Sequence, residues 1–267
     1  MSHAEKSSSV TAVELPILDQ PVSHDAAADE GWIHSFETSA GLDGPGLRLV
    51  FFLSGCMMRC LYCHNPDTWK PQQGRRMSVD ELAQEARRYA PLLRQGGVTF
   101  TGGEPLMQVS FLRSALRRMK EEGFHTALDT AGFLGDRVED AMLEDIDLVL
   151  LDIKHWDPEH YLHLTGKELE PTLRFARRLA EKQRPVWLRY VLVPGLTDQS
   201  EQIEGLASFA ASLGNIERVD VLPFHQMGKT KWKELGLKYE LDALRAPTAA
   251  ETVQAVNTFA RFGLHAV

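Results

Sequence analysis

The sequence predicts an α/β protein whose core is a parallel sheet of about six strand–helix units, forming an open or partial barrel. Three observations lead there. Short apolar runs alternate with amphipathic helical stretches about six times, the pattern of parallel strands joined by helical crossovers. Six units are too few to close an eight-stranded barrel. The chemistry-bearing residues gather just after the apolar runs, at the carboxyl edge where ligands bind in barrels and doubly wound sheets alike. A flat doubly wound sheet is the alternative.

The elements follow in order. "LRLVFFLSG" (47–55) is an apolar run ending in glycine and reads as the first buried strand. Residues 78–93 have helical periodicity, with Ser78 and Glu81 spaced as a capping box. "GVTFTGG" (97–103) is the second strand, and 109–123 its helix, stopped by Gly123. "HTALDTAG" (125–132) is strand-like and 137–146 helical. "DLVLLDIK" (147–154) is the fourth strand, followed by a helical pattern over 171–182. "PVWLRYVLVPG" (185–195) is the fifth strand, 200–214 a helix, "RVDVLPFH" (218–225) the sixth strand and 248–263 the closing helix. Residues 1–30 are polar, Ala/Ser/Asp-rich and aperiodic, and read as a disordered extension. The folded domain is expected over 31–267.

Composition narrows the function classes. A formal net charge of −8 argues against nucleic acid or an anionic membrane as partner, since both call for a basic footprint. No run approaches eighteen apolar residues, and no basic-then-apolar leader opens the chain. A cytoplasmic protein is the expectation.

All three cysteines, Cys56, Cys60 and Cys63, fall in "SGCMMRCLYCHN" (54–65). Buried inert thiols would not cluster so. Zinc remains open, with His64 or a water as fourth ligand. So does a [4Fe–4S] cluster with one iron free of protein ligands, because thiolates suit iron–sulfur centres. Other candidates stand at or near the strand ends, Glu104, Asp129, Thr130, Asp152, Lys154 and His225, with Arg189 inside the fifth strand. Asp129, Thr130 and Asp152 offer hard oxygen ligands. Asp43 lies in "LDGPG" (42–46), a turn by composition.

The Cys-x₃-Cys-x₂-Cys spacing, with Tyr62 before the last cysteine, resembles the signature of radical S-adenosylmethionine enzymes, and "TGGEP" (101–105) resembles their GGE motif. Residues 33–69, with "LDTAG", "DLVLLDIK", "VWLRYVLVPGLTD" and "VLPFHQMGKTKW" in order, look more narrowly like the glycyl-radical-enzyme activases, of the type that acts on pyruvate formate-lyase. The chain lacks the cysteine-rich insert found in several activases of other partners.

This resemblance implies a (β/α)₆ partial TIM barrel and the following roles. Cys56, Cys60 and Cys63 ligate the [4Fe–4S] cluster. Tyr62, Cys63, His64, Gly102, Gly103, Glu104, Asp152, Ile153, Lys154, Arg189 and His225 bind S-adenosylmethionine, with Gly102, Gly103 and Glu104 at its methionine end. Asp129, Thr130 and Asp152, with the Leu150 carbonyl, hold a sodium or potassium ion. Asp43 meets the substrate peptide. The implied partners are pyruvate formate-lyase and a flavodoxin-type or ferredoxin-type electron donor. Rival readings are a radical enzyme acting on another glycyl-radical enzyme or a small molecule, and a zinc-stabilised binding protein.

Overall fold

The computed structural model describes residues 28–267. The extension expected over residues 1–30 lies outside the described residues, except for its last three positions, and Glu30 already opens a strand. In chain order the elements are β1 (Glu30–Ala40), β2 (Leu47–Leu53), β3 (Arg75–Ser78), α1 (Val79–Tyr89), β4 (Gly97–Gly102), α2 (Val109–Glu121), β5 (Thr126–Thr130) and α3 (Asp140–Glu144). They continue with β6 (Leu148–Asp152), α4 (Pro158–Thr165), α5 (Glu170–Glu181), β7 (Val186–Leu192), α6 (Ser200–Leu213), β8 (Ile216–Pro223), α7 (Lys229–Glu234) and α8 (Ala249–Arg261).

The strands form one sheet in the order β3-β1-β2-β4-β5-β6-β7-β8. The six from β2 to β8 pair parallel. They are the six units expected from the sequence, and with their crossovers they make the (β/α)₆ partial barrel. Two antiparallel strands add to it: β1 pairs with β2, and β3 with β1.

Alternation along each strand sorts the side chains onto two faces. Leu49, Phe51, Leu53, Phe100, Leu128, Val149, Leu151, Leu188 and Tyr190 form the main core with the apolar sides of the helices. The opposite face carries a small apolar floor of Ala127, Leu148 and Leu150 beside Trp187. On this inner face Thr99, Thr101, Asp129, Asp152, Arg189 and Asp220 alternate with those apolar positions.

The amino-terminal ends of the strands are sealed. Arg48 is fully buried there. It donates to the Val98 carbonyl (2.6 Å), Thr99 Oγ1 (3.0 Å) and His125 Nδ1 (3.0 Å). Burial lowers its pKa to about 10, so it stays charged at neutral pH. Thr99 Oγ1 in turn donates to the Asp43 carbonyl at 2.7 Å. The loop before β2 is thereby drawn under the sheet. At the far side, residues 265–267 run beside β8: Val219 N donates to the His265 carbonyl (2.8 Å), and Val221 N to that of Val267 (2.9 Å).

Several bounds differ from expectation. α1 ends at Tyr89 because Pro91 cannot continue the ladder. Its capping box is present, with Ser78 Oγ accepting from Glu81 N and Glu81 Oε2 from Ser78 N. α3 shortens to Asp140–Glu144, since Val138 is already extended. β1 and β3 escape the apolar count because, of their described residues, only Gly31, Ile33 and Met77 are buried. Among the described residues, no helix is long and apolar enough to cross a membrane.

Candidate active site

The thiol loop begins where β2 ends. Gly55 takes a positive φ of 99°, open to glycine at little cost, and turns the chain over the sheet edge. Neighbours then hold the loop's backbone. Cys56 N donates to the Trp69 carbonyl (3.0 Å), Arg59 N to that of Thr165 (2.8 Å) and Leu61 N to that of Leu164 (3.0 Å). Arg59 Nη1 reaches back to the carbonyls of Cys56 and Met58, both at 2.7 Å. The three thiols are free. Burial raises the pKa of all three; Cys60 is pushed up to about 12, with Lys154 opposing. Thiols so placed give up their protons to a metal rather than to water.

Glu104 stands beside this loop and is buried. Its Oε1 accepts from Thr130 Oγ1 (2.7 Å) and Leu106 N (3.1 Å), and its Oε2 from Ala131 N (3.0 Å). Burial nevertheless pushes its carboxyl up to about 7, against those hydrogen bonds. Among the described residues no cation pairs with it. Gly102 and Gly103 are required here by the protein's own backbone. A Cβ on Gly102 would lie 2.3 Å from Leu53 N, and one on Gly103 2.3 Å from the Gly55 carbonyl oxygen. Close approach of β4 to the end of β2 demands glycine at 102, and close approach to the thiol loop demands it at 103.

The next strand ends bring charge. Lys154 Nζ lies 2.9 Å from Asp152 Oδ2 and 5.8 Å from the Tyr62 ring centroid. Burial opposes its charge, but Asp152, Tyr62 and Cys60 outweigh it and raise its pKa. Ile153, between them, points into the helix-side core, so only its backbone faces a ligand. Arg189 Nη1 sits 3.0 Å from Asp129 Oδ2 and 3.8 Å from Asp43 Oδ1. Burial works against this guanidinium too, and Asp129, Asp152, Asp43 and Asp220 together raise its pKa. His64 and His225 meet edge to face, 4.7 Å between centroids. Burial lowers the pKa of His64, and His225 and Lys231 add to the effect.

The proposed cation ligands are adjacent but unequal. Asp129 Oδ2 accepts from Thr101 Oγ1 (2.6 Å) and Arg189, while Oδ1 is buried and unpaired. Burial raises this carboxyl, with Arg189 opposing. The Thr130 hydroxyl is turned away to Glu104 and accepts from Gly132 N, because successive strand residues face opposite sides. It does not join the two aspartates.

Sequence reasoning missed Thr101, Asp220, Arg59 and Trp232. Thr101 holds Asp129, and its period-two spacing from Thr99 was the available signal. Asp220 is buried, with Oδ1 2.5 Å from Arg218 Nε and Oδ2 unpaired. Trp232 donates to the Cys63 carbonyl at 2.8 Å, a contact 169 residues long that no local pattern encodes.

Free thiols at one strand end, a buried carboxylate with no cation partner among the described residues, and buried unpaired atoms on Tyr62, Asp129 and Arg189 place at one sheet edge the groups that a thiolate-bound metal and a polar, charged ligand require. The chain belongs to the radical SAM superfamily, whose sequence profile matches residues 50–209, from the middle of β2 into α6. Membership implies a [4Fe–4S] cluster and S-adenosylmethionine, and the donor set fits both. Within that class, the chain is 45% identical over 242 residues to the pyruvate formate-lyase-activating enzyme of Staphylococcus aureus (strain USA300), covering 87% of this chain and 96% of that protein.

The crystal structure of a domain of pyruvate-formate lyase-activating enzyme from Bacteroides vulgatus ATCC 8482 superposes with a TM-score of 0.55 at 30% identity, covering 64% of this chain and 98% of that one. A radical SAM methyltransferase from Sphaerobacter thermophilus shares the fold, with a TM-score of 0.62 at 18% identity over 86% of this chain and 67% of that one.

Proposed function

We propose that this protein is a glycyl-radical-enzyme activase acting on pyruvate formate-lyase. The observation that carries the proposal is the 45% identity to an activase of that name across nearly its whole length. A [4Fe–4S] cluster held at the three thiols would supply the one-electron chemistry that makes S-adenosylmethionine a source of radicals, and one glycine of the partner would give up the hydrogen atom.

The chain's own residues position the reactants. Cys56, Cys60 and Cys63 would hold the cluster as thiolates. Glu104 pairs with the methionine ammonium, the cation its buried carboxylate lacks. Lys154 and the unpaired Nε of Arg189 face the carboxylate. Tyr62, His64 and His225 line the adenosyl side, while Gly102, Gly103 and Ile153 contribute backbone. A sodium or potassium ion between Asp129 and Asp152 belongs to this reading, supported by the unpaired Asp129 Oδ1; Thr130 takes part by orienting Glu104. Asp43, beside Arg189, meets the backbone of the substrate glycine loop. The electron comes from a flavodoxin-type or ferredoxin-type donor, and free thiols suit the reducing cytoplasm.

The test is anaerobic incubation of reduced enzyme, S-adenosylmethionine and pyruvate formate-lyase. A glycyl-radical doublet in electron paramagnetic resonance is expected, with deuterium from the labelled glycine appearing in 5′-deoxyadenosine. Asp43→Ala should weaken binding of the glycine-loop peptide more than that of S-adenosylmethionine. Normal cofactor cleavage without radical or deuterium transfer would reject pyruvate formate-lyase as the partner.

A further inference from the structure

The connection after β8 touches both halves of the site. His225, just past the strand, packs on His64. Gly228 lies so close to the thiol loop that a Cβ there would sit 2.8 Å from the His64 carbonyl oxygen and 3.1 Å from that of Cys63. Lys231 Nζ then donates to Asn65 Oδ1 (2.8 Å) and Asp67 Oδ1 (3.1 Å). Asp67 also stands 3.3 Å from His34 Nε2 on β1. Finally, Trp232 Nε1 donates to the Cys63 carbonyl.

These contacts continue around the loop. The Trp232 ring meets Trp69 edge to face at 5.0 Å. Arg59 lies over Trp69, 4.8 Å from its ring, and this same Arg59 donates to the Cys56 carbonyl. The carbonyls of the first and last thiol residues therefore each take a side-chain donor, and contacts from Arg59 to Trp69 and from Trp69 to Trp232 join the two donors. Such outer partners orient metal ligands and tune their centre.

We propose that Trp232 is a positioning residue for the three-thiol set, and that residues 225–232 act as a clasp linking docking of α7 to retention of the cluster. The inference rests on the reading that this loop carries a [4Fe–4S] cluster. Trp232 also packs on Tyr239, 5.4 Å away, so a merely structural role would be met by any aromatic ring. The indole N–H separates the two roles.

Wild type, Trp232→Phe and Lys231→Met are reconstituted without oxygen from iron and sulfide. Iron content, the rate of bleaching by a chelator and the paramagnetic resonance of the reduced proteins are compared, with thermal melting of the apo-proteins as the folding control. Wild type and Trp232→Phe should each take up about four irons. Trp232→Phe should release them about tenfold faster, with a shifted resonance, and Lys231→Met should fall between. Release at the wild-type rate with an unchanged resonance overturns the clasp and leaves the cluster reading intact. If Trp232→Phe does not fold, the rate for Lys231→Met decides in the same way. A wild-type chain that takes up no iron overturns both.

Discussion

Replacing Glu104 with Gln tests the centre of the site, because its consequences for stability and binding differ in their pH dependence. The folded carboxyl titrates at about 7 because of burial, against about 4.3 for an unfolded glutamate. Its folded pKa is raised, so between those values the folded chain binds the extra proton and stability falls as pH rises. The integrated penalty is roughly 1.5 kcal/mol at about pH 5.5 and roughly 3.5 kcal/mol at about pH 8. Glutamine carries no such penalty. It does lose one acceptor for the donors Thr130 Oγ1, Leu106 N and Ala131 N, at a cost of about 1–3 kcal/mol at any pH. The difference in unfolding free energy should therefore move by about 2 kcal/mol in favour of Glu104→Gln between about pH 5.5 and pH 8. Urea denaturation of the apo-proteins measures it. Removing one partner of a buried charge pair costs about 3–5 kcal/mol, so S-adenosylmethionine should bind the variant at least a hundredfold more weakly in anaerobic titrations. A stability difference independent of pH, or an affinity within threefold of wild type, would refute this account of Glu104.

Alanine at Cys56, Cys60 or Cys63 should abolish S-adenosylmethionine cleavage and lower iron below the roughly four per chain of the intact cluster; elemental analysis checks this, and one tightly held zinc in wild type would contradict it. Asp129→Ala and Asp152→Ala should keep the cluster but weaken S-adenosylmethionine binding, more so with potassium present than without. Affinities of both variants equal to wild type, with and without potassium, would remove the cation. Arg48→Met strands the Val98 carbonyl and His125 in a buried network, and should cost about 1–3 kcal/mol in unfolding free energy for each acceptor left unpaired without changing the reduced cluster's resonance.

The six parallel strands are legible in the sequence because each is a short apolar run set between helical stretches, and burial on one face is what the pattern records. β1 and β3 are not, since they lie outside that parallel run and, of their described residues, bury only Gly31, Ile33 and Met77. The strand-end residues are legible as a group, because a parallel sheet delivers consecutive carboxyl ends to one edge. Their individual partners are not. Alternation separates Thr130 from Asp129 and carries Ile153 into the core with Val149 and Leu151, but nothing local shows that Thr130 meets Glu104 or that Gly103 makes room for Gly55. Arg59, Trp69 and Trp232 read as ordinary surface or core residues until the chain folds α7 back onto the thiol loop.

The last three residues, lying beside β8, have a practical bearing on handling the protein. They cover the amide groups of Val219 and Val221 on the sheet's final strand. Deleting residues 265–267 would leave a bare strand margin on a parallel sheet, a template for pairing between chains. The shortened protein should self-associate with rising concentration, while its cofactor chemistry, built on the carboxyl ends and inner face of the strands, stays intact in the fraction that remains dispersed.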